Sequence, residues 1–148
     1  MAVPVQIQPL IALPEGFQRL RRAADAEGFA FVGRLESEWR AGVNRFDGAG
    51  ECLLGALISD DLVAIGGLNR DPYTGDHQIG RLRRVYVLPA FRGSGVGRAL
   101  VTALLARATG VFRCVRLRTE TPAAAAFYER CGFRPARGGE DTHSLELR

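Results

Sequence analysis

Hydrophobic positions alternate with polar ones in some segments of the chain and recur at helical spacing in others, so the pattern predicts strands and helices in turn. In residues 15–27, Phe17, Leu20 and Ala24 fall near helical spacing, and Gly28 is suited to end that helix. Prolines at positions 4 and 9 mark the first strand as an edge strand. The predicted strands are residues 3–10, 51–59, 62–68, 78–88, 111–119, 133–136 and 144–147. The other helices are residues 32–40, a segment ending near 109, and a short helix before 132.

Helices interleaved with strands indicate an α/β layer fold. With 148 residues and 47% hydrophobic composition, the chain is expected to form one domain over residues 1–148 with its own core. Asp60-Asp61 is the predicted turn of the first hairpin, and Gly138-Gly139 that of the last. Residues 44–50 and 69–75 are predicted loops. Substrate specificity would reside in residues 44–50 and 69–77.

One segment carries the strongest chemical signal: a strand that ends at Pro89, glycines at 93, 95 and 97, and a helix behind them. Glycines let the backbone turn tightly, and the helix adds unpaired N–H groups with the positive end of its dipole. This combination predicts a phosphate or pyrophosphate site. A nucleotide P-loop would end in Gly-Lys-Ser/Thr, whereas the chain has Gly97-Arg98-Ala99. A dinucleotide fingerprint would need a third glycine where Arg98 stands.

The spacing Arg92-x-x-Gly95-x-Gly97 resembles the acyl-CoA pyrophosphate loop of the GCN5-related N-acetyltransferases, the GNAT family. A second segment, residues 119–133, resembles that family's other hallmark. Its physical signals are independent of the resemblance: Thr121 is a good N-cap, Pro122 suits the first helical position, and Gly132 suits a left-handed C-terminal cap. The predicted order β-α-α-β-β-β-α-β-α-β-β also matches the family, which implies a mixed sheet of about six or seven strands and about four helices.

The resemblance implies roles for particular residues. Backbone groups of Val85, Tyr86 and Val87 would pair with the pantetheine arm of acetyl-CoA, and one N–H would polarise the thioester carbonyl. Tyr128 resembles the family tyrosine that protonates the departing thiolate; the alternative is a packed aromatic residue. Thr121 stands where relatives often have Asn, so the cap survives but a carboxamide contact to CoA is lost. The pyrophosphate would be bound by Arg92, Gly93, Ser94, Gly95, Val96, Gly97 and Arg98.

The general base is not assigned from the sequence. Many relatives carry a glutamate on the strand before the loop, where this chain reads Gly-Arg-Leu-Arg-Arg at 80–84. The candidates elsewhere are Glu120, Asp76, His77 and His143, and each is better explained as an ordinary surface or loop residue. A water relay or an amine that arrives neutral would need no protein base.

Arginines at positions 81, 83 and 84 favour an acceptor that carries a carboxylate or phosphate; the alternative is that they point to solvent. All 20 basic residues are arginine, which suggests a bacterial source, and the net charge is +4. The arginines are scattered, without a basic run or interleaved aromatics, which argues against nucleic acid as a partner. No apolar run is long enough for a membrane span, and no signal peptide is recognised, so a cytoplasmic protein is expected. Three cysteines without CxxC spacing predict buried thiols and neither a disulfide framework nor a metal site.

The sequence therefore predicts an N-acetyltransferase that uses acetyl-CoA as co-substrate, needs no metal, and acts on a primary amine by direct attack in a ternary complex. Cys131 has no evident histidine partner that would favour an acyl-enzyme. Two alternatives stay open: an inactive acyl-CoA-binding regulatory module, and acetylation of a protein N-terminus or aminoacyl-tRNA. The acceptor, small molecule or peptide, and the formation of a homodimer are also left open.

Overall fold

The part of the chain that the structure describes folds into a mixed sheet of seven strands with helices on both faces. A computed structural model describes residues 4–136 and 139–147. The strands are β1 Gln6–Pro9, β2 Cys52–Ile58, β3 Asp61–Arg70, β4 Ile79–Val87, β5 Cys114–Leu117, β6 Arg134–Pro135 and β7 His143–Glu146. Their order in the sheet is β1-β2-β3-β4-β5-β7-β6, with β4 and β5 parallel and the other pairs antiparallel. The helices are α1 Phe17–Ala26, α2 Phe31–Ala41, α3 Val96–Ala108 and α4 Pro122–Arg130.

The predicted element order, fold class and proline-marked edge strand are confirmed. Several boundaries differ by one to three residues, and three of these differences concern the first hairpin, the end of β3 and the start of β5. The hairpin turn is Ser59-Asp60, both with positive φ, while Asp61 already pairs with Ile58. Strand β3 runs on to Arg70, two residues into the predicted loop. Strand β5 begins only at Cys114, because residues 109–112 close a turn in which Phe112 donates its N–H to the carbonyl of Ala108. The predicted turn at Gly138 lies outside the described residues.

Neighbouring residues of β4 show how the helices are divided between the two faces. A Cβ on Gly66 would lie 3.2 Å from both Val85 and Leu100, so Val85 packs on the α3 face. The next residue, Tyr86, points the other way and meets the ring of Phe31 in α2 at 6.1 Å between centroids. The α1–α2 pair therefore covers one face of the sheet and α3 covers the other, with the apolar core between them.

The α3 helix buries one apolar face along its whole length and exposes the opposite face, which carries Arg98 and Arg107. Val96, Leu100, Val101, Leu104 and Ala108 are each almost fully buried. The burial of these side chains fixes the helix against β2, β3 and β4. Its first turn is thereby held at the end of β4, where the glycine-rich segment lies. None of the helices in residues 4–136 and 139–147 is long and apolar enough to cross a membrane.

Candidate active site

The glycine loop, residues 92–98, joins β4 to α3 through a short 3₁₀ turn at Pro89–Phe91. Gly93 and Gly95 have φ of +76° and +90°, which residues with a Cβ rarely adopt. No atom lies within 4 Å of where a Cβ would stand on either glycine, so the space beside the loop is open. The glycines are thus needed for the backbone path and not for close packing.

Backbone N–H groups of residues 93–98 have no hydrogen-bond acceptor among the described residues. The first helical bond runs from the N–H of Ala99 to the carbonyl of Gly95, and no side chain caps the helix. The first turn of α3 contains no acid and carries exposed Arg98, which is unfavourable beside the positive end of the helix dipole. Open donors, the dipole and a cation together favour an anionic ligand such as a pyrophosphate.

Arg92 takes a different place from the rest of the loop. Its guanidinium forms two hydrogen bonds with Glu27, of 2.8 and 2.7 Å, and a third with the carbonyl of Val87 at 3.0 Å. Tyr86 donates its hydroxyl to the same Glu27 carboxylate at 2.5 Å. The hydrogen bond from Arg92, and then that from Tyr86, holds the pKa of Glu27 below its ordinary value. The Arg92 side chain thus fixes the loop to the end of α1.

The edge of β4 that faces β5 opens towards the glycine loop. The two strands pair only from Ile79 to Arg81, whereas β4 continues to Val87. Residues 82–87 have no strand partner on that edge within the described part of the chain. Leu88 donates its N–H to Val63 of β3, so strand alternation turns the backbone groups of Val87, and of Val85 before it, towards the open edge. The same alternation turns the backbone of Tyr86 towards β3.

A bulge in β4 lies beside this opening. The register against β3 shifts between Ile65 and Gly67, and Arg84 has a φ of +60°. A left-handed conformation in a residue with a Cβ costs about 1–2 kcal/mol, and strain of this kind concentrates at functional sites. The bulge turns both Arg83 and Arg84 towards the face that α2 covers.

Three predicted segments meet at Gly97. A Cβ there would lie 3.3 Å from the ring of Phe127 in α4 and 3.4 Å from Val87 at the end of β4. Thr121 caps α4 as predicted by accepting a hydrogen bond from the N–H of Ala124 at 3.1 Å. Gly132 has the predicted left-handed conformation, with a φ of +102°. The small residue at position 97 thus lets α4 approach the open edge of β4.

Tyr128 lies on the last turn of α4, in contact with the rings of Phe127 and Phe133 at 5.1 and 5.8 Å between centroids. Its hydroxyl has no hydrogen-bond partner among residues 4–136 and 139–147. Burial raises its pKa, which keeps the phenol protonated at neutral pH. A buried, protonated phenol can act as a proton donor.

The four base candidates from the sequence are engaged elsewhere or exposed. His143 is buried, and its two ring nitrogens contact Thr142 Oγ1 at 3.0 Å and Glu129 at 2.9 Å. Asp76 pairs with Arg113, exposed Glu120 pairs with Arg118, and His77 is exposed. Asp76 and His77 also precede the start of β4 at Ile79, which itself lies five residues, or roughly 16 Å of strand, before Arg84 of the bulge.

A carboxylate that the sequence did not indicate lies beside the bulge. Glu38 of α2 accepts a hydrogen bond from Arg84 Nη2 at 3.0 Å, 46 residues away along the chain. The side chain of Arg84 is 8% exposed and that of Glu38 is 26% exposed. Nothing local in the sequence marks Glu38, since α2 has an ordinary amphipathic pattern. Glu27, which holds Tyr86 and Arg92, was missed for the same reason.

The cysteines of the chain are poorly suited to act as nucleophiles. Burial raises the pKa of Cys131, the cysteine nearest to α4's end, which disfavours the thiolate. Cys52 and Cys114 are buried, as predicted, and Cys131 is half-buried. In the described part of the chain no group of three or more His, Cys, Asp or Glu residues is arranged to hold a metal ion.

Open loop amides, a splayed strand and an adjoining tyrosine helix are the features that the resemblance to the GNAT family implies. The chain belongs to the GNAT acetyltransferase family: the family model described as an acetyltransferase (GNAT) domain matches residues 49–135. The matched range includes the glycine loop and α4 but begins after both α1 and α2.

The chain is also similar to individual proteins and solved structures. An acetyltransferase-like protein from Exiguobacterium sp. 255-15 has a TM-score of 0.86 and 29% identity, with 97% of this chain and 93% of that chain covered. The ribosomal-protein-alanine N-acetyltransferase of Brucella melitensis has a TM-score of 0.72 at 18% identity, covering 96% and 99% of the two chains, and so shows the fold alone. The uncharacterized protein ML0378 of Mycobacterium leprae is 33% identical over 109 residues, or 68% of this chain. The chain spans only 30% of the length of that curated relative.

Proposed function

We propose that this protein is an acetyl-CoA-dependent N-acetyltransferase that transfers the acetyl group to a primary amine by direct attack in a ternary complex. The observation that carries the proposal is the run of N–H groups at residues 93–98 without a protein acceptor, at the N-terminus of α3 and beside the open edge of β4. These groups fit a pyrophosphate and, along the strand, a pantetheine arm. Acetyl-CoA supplies the activated acyl group.

The residues of the chain would divide the work as follows. Residues 93–98 bind the pyrophosphate, with Arg98 adding charge and Arg92 holding the loop in place. Val85 and Val87 present backbone groups at the open edge, and one N–H there donates to the thioester oxygen as negative charge develops on it. The amine nitrogen forms the new bond to the acyl carbon as the carbon–sulfur bond breaks. Tyr128 gives its proton to the leaving sulfur, and the amine loses its own proton to water or a base.

The test is acetyl-CoA-dependent release of CoA by the purified protein with amines, amino acids and peptides, beside calorimetric titration with CoA. The peptides include N-terminal alanine because a fold relative acts on ribosomal-protein alanine by name. Tyr128→Phe is expected to keep the affinity for CoA and lower kcat by about 100-fold or more, since it removes only the proton donor. Micromolar binding of CoA with no release for any acceptor would favour the regulatory module, and failure to bind CoA would contradict both.

A further inference from the structure

Three arginines in four residues of β4 point to the face of the sheet that α2 covers. Arg81 pairs across the ladder with Asn69, whose side chain contacts Asn44. Arg83 pairs with Gly67, where a Cβ would point at the ring of Phe46. Both arginines therefore lie on the face opposite α3. The bulge then turns Arg84 to the same face, where it meets Glu38. We refer to Arg81, Arg83 and Arg84 as the arginine face.

Two of these guanidiniums already have anionic partners within the protein. Arg81 contacts Asp71 at 3.4 Å and the carbonyl of Glu140 at 2.5 Å, beneath the ring of Tyr73. Both Arg81 and Asp71 are nearly fully buried. Arg84 contacts Glu38 at 3.0 Å. The charges of Arg81 and Arg84 are therefore neutralised inside the fold.

Arg83 differs from its neighbours. It is half-buried, yet its guanidinium has neither a hydrogen bond nor an ion pair with any residue in 4–136 and 139–147. Burial, and then the adjacent positive charge of Arg84, lowers its pKa, although Tyr73 and Glu38 lie near enough to act in the opposite direction. A partly desolvated cation without a partner is unfavourable. A half-buried guanidinium with no protein partner among the described residues is therefore a candidate site for an anionic ligand.

The position of Arg83 gives that anion a role. It precedes the bulge by one residue and lies on the opposite face of the sheet from α3, beside the open edge of β4. Further along the same face is a cavity of about 200 Å³, lined by Tyr73, Arg81 and Arg116 and also by the acidic residues Asp71, Glu140 and Asp141. An acceptor bound over Arg83 would thus have one end near the open edge of β4, where the proposed function places the acyl group. The rest of the acceptor would have room in the cavity.

We propose that Arg83 binds a carboxylate of the acceptor, so that the acceptor is an amine that also carries a carboxylate, as amino acids do. The assignment rests on the proposed acetyltransferase function. A single uncompensated guanidinium matches a monoanion, and its planar fork matches a carboxylate. The neighbouring arginines are both already paired with carboxylates of the fold, so they do not compete with Arg83 for the ligand.

The experiment compares matched acceptors that differ only in the carboxylate. The probes are the L-amino acids and the ω-amino acids from glycine to 6-aminohexanoate, each beside its primary amide, together with 2-aminoethyl phosphate. kcat/KM is measured with acetyl-CoA for the wild type, Arg83→Gln and Arg83→Lys, and the acid-to-amide ratio is compared between proteins. Comparing ratios removes the effect of the different amine pKa values of acids and amides.

The wild type is expected to prefer at least one acid over its amide, and Arg83→Gln to lower that preference by about 10- to 100-fold through KM. Arg83→Lys should recover only part of it, because the charge stays and the fork is lost. Arg113→Gln, which removes an exposed arginine paired with Asp76, is the control and should leave the ratio unchanged.

Three outcomes would overturn the assignment while CoA still binds: a preference for amides or for 2-aminoethyl phosphate, no turnover of any acid, or an unchanged ratio in Arg83→Gln. Failure of the wild-type protein to bind CoA would instead contradict the proposed function itself. Calorimetric titration of each variant with CoA separates the two kinds of failure.

Discussion

The glycine loop follows the end of β4, and the arginine face lies on the α2 side of the same strand. The two sites are built differently. The loop uses backbone N–H groups of consecutive residues 93–98, positioned by two left-handed glycines and a helix start. The arginine face uses side chains whose partners come from distant segments: Glu38 in α2, Asp71 after β3, and the carbonyl of Glu140. The loop is therefore a local structure, whereas the arginine face exists only in the folded chain.

This difference indicates different roles for the two sites. The family match at residues 49–135 contains both the glycine loop and the three arginines of the arginine face, and it leaves out Glu27 and Glu38. A backbone site tolerates many side chains, so it suits the part of the reaction that is common to the family. A side-chain site changes with single substitutions, so it suits the choice of acceptor. The predictions below test this division, beginning with the loop.

Replacing Gly95 by Val should have the largest effect. Its φ of +90° is strained for valine, so the chain would leave that conformation and the N–H groups behind it would no longer converge. Losing about two hydrogen bonds to a charged ligand should weaken CoA binding by about 100-fold, or ~2.7 kcal/mol. Calorimetric titration with CoA measures the change.

The control for Gly95→Val is Gly75→Val. Gly75 has a similar φ of +71° and open space around it, but lies in the loop between β3 and β4. It should lose stability to a similar degree and keep its affinity for CoA. Equal loss of CoA affinity in both variants would mean that general strain, and not the loop donors, decides binding.

Replacing Glu38 by Gln should have an intermediate effect, and on stability more than on CoA affinity. The change leaves the guanidinium of Arg84, 8% exposed, without its carboxylate. We expect the free energy of unfolding to fall by about 2 kcal/mol, less than for a fully buried pair because Glu38 is partly exposed. Urea denaturation at neutral pH measures it.

The Arg84→Gln variant completes a double-mutant cycle with Glu38→Gln. If the pair is coupled, the double variant is less destabilised than the sum of the single variants. Additive losses would show that the two side chains act independently despite their contact.

Replacing Glu27 by Gln should have the smallest effect. The ion pair with Arg92 is partly exposed, so its loss should lower stability by no more than about 1 kcal/mol at pH 7. The pKa of Glu27 is lowered on folding, chiefly by its hydrogen bond to Arg92. Its stabilising contribution is therefore complete above the unfolded pKa of about 4.3 and is lost as the pH falls through the folded value.

The difference in unfolding free energy between the wild type and Glu27→Gln is accordingly expected to be constant from pH 6 to 8 and to shrink below about pH 4. Denaturation at several pH values checks this. A difference that grows on acidification would be inconsistent with a carboxylate held in its charged form by Arg92 and Tyr86.

The order of elements, the turn glycine at the end of α1, the cap at Thr121 and the glycine loop could all be predicted from the sequence. Each depends on residues within about one turn or one strand of one another, so local propensities decide them. The predictions that differ from the structure concern boundaries, among them Asp61 and the start of β5. Asp61 belongs to the strand because it pairs with Ile58 across the tight turn, and β5 begins late because residues 109–112 close a turn before Cys114 pairs with β4.

The sequence by itself determined that a strand, a glycine-rich loop and a helix follow one another, because glycine conformations and helix ends are properties of neighbouring residues. Only the tertiary structure decided which of three arginines lacks a partner. Arg81 and Arg84 are neutralised by Asp71 and Glu38, from other elements, while Arg83 between them is not. The physical reason is that a charge is compensated through space, and which carboxylate lies within about 4 Å depends on how the elements pack.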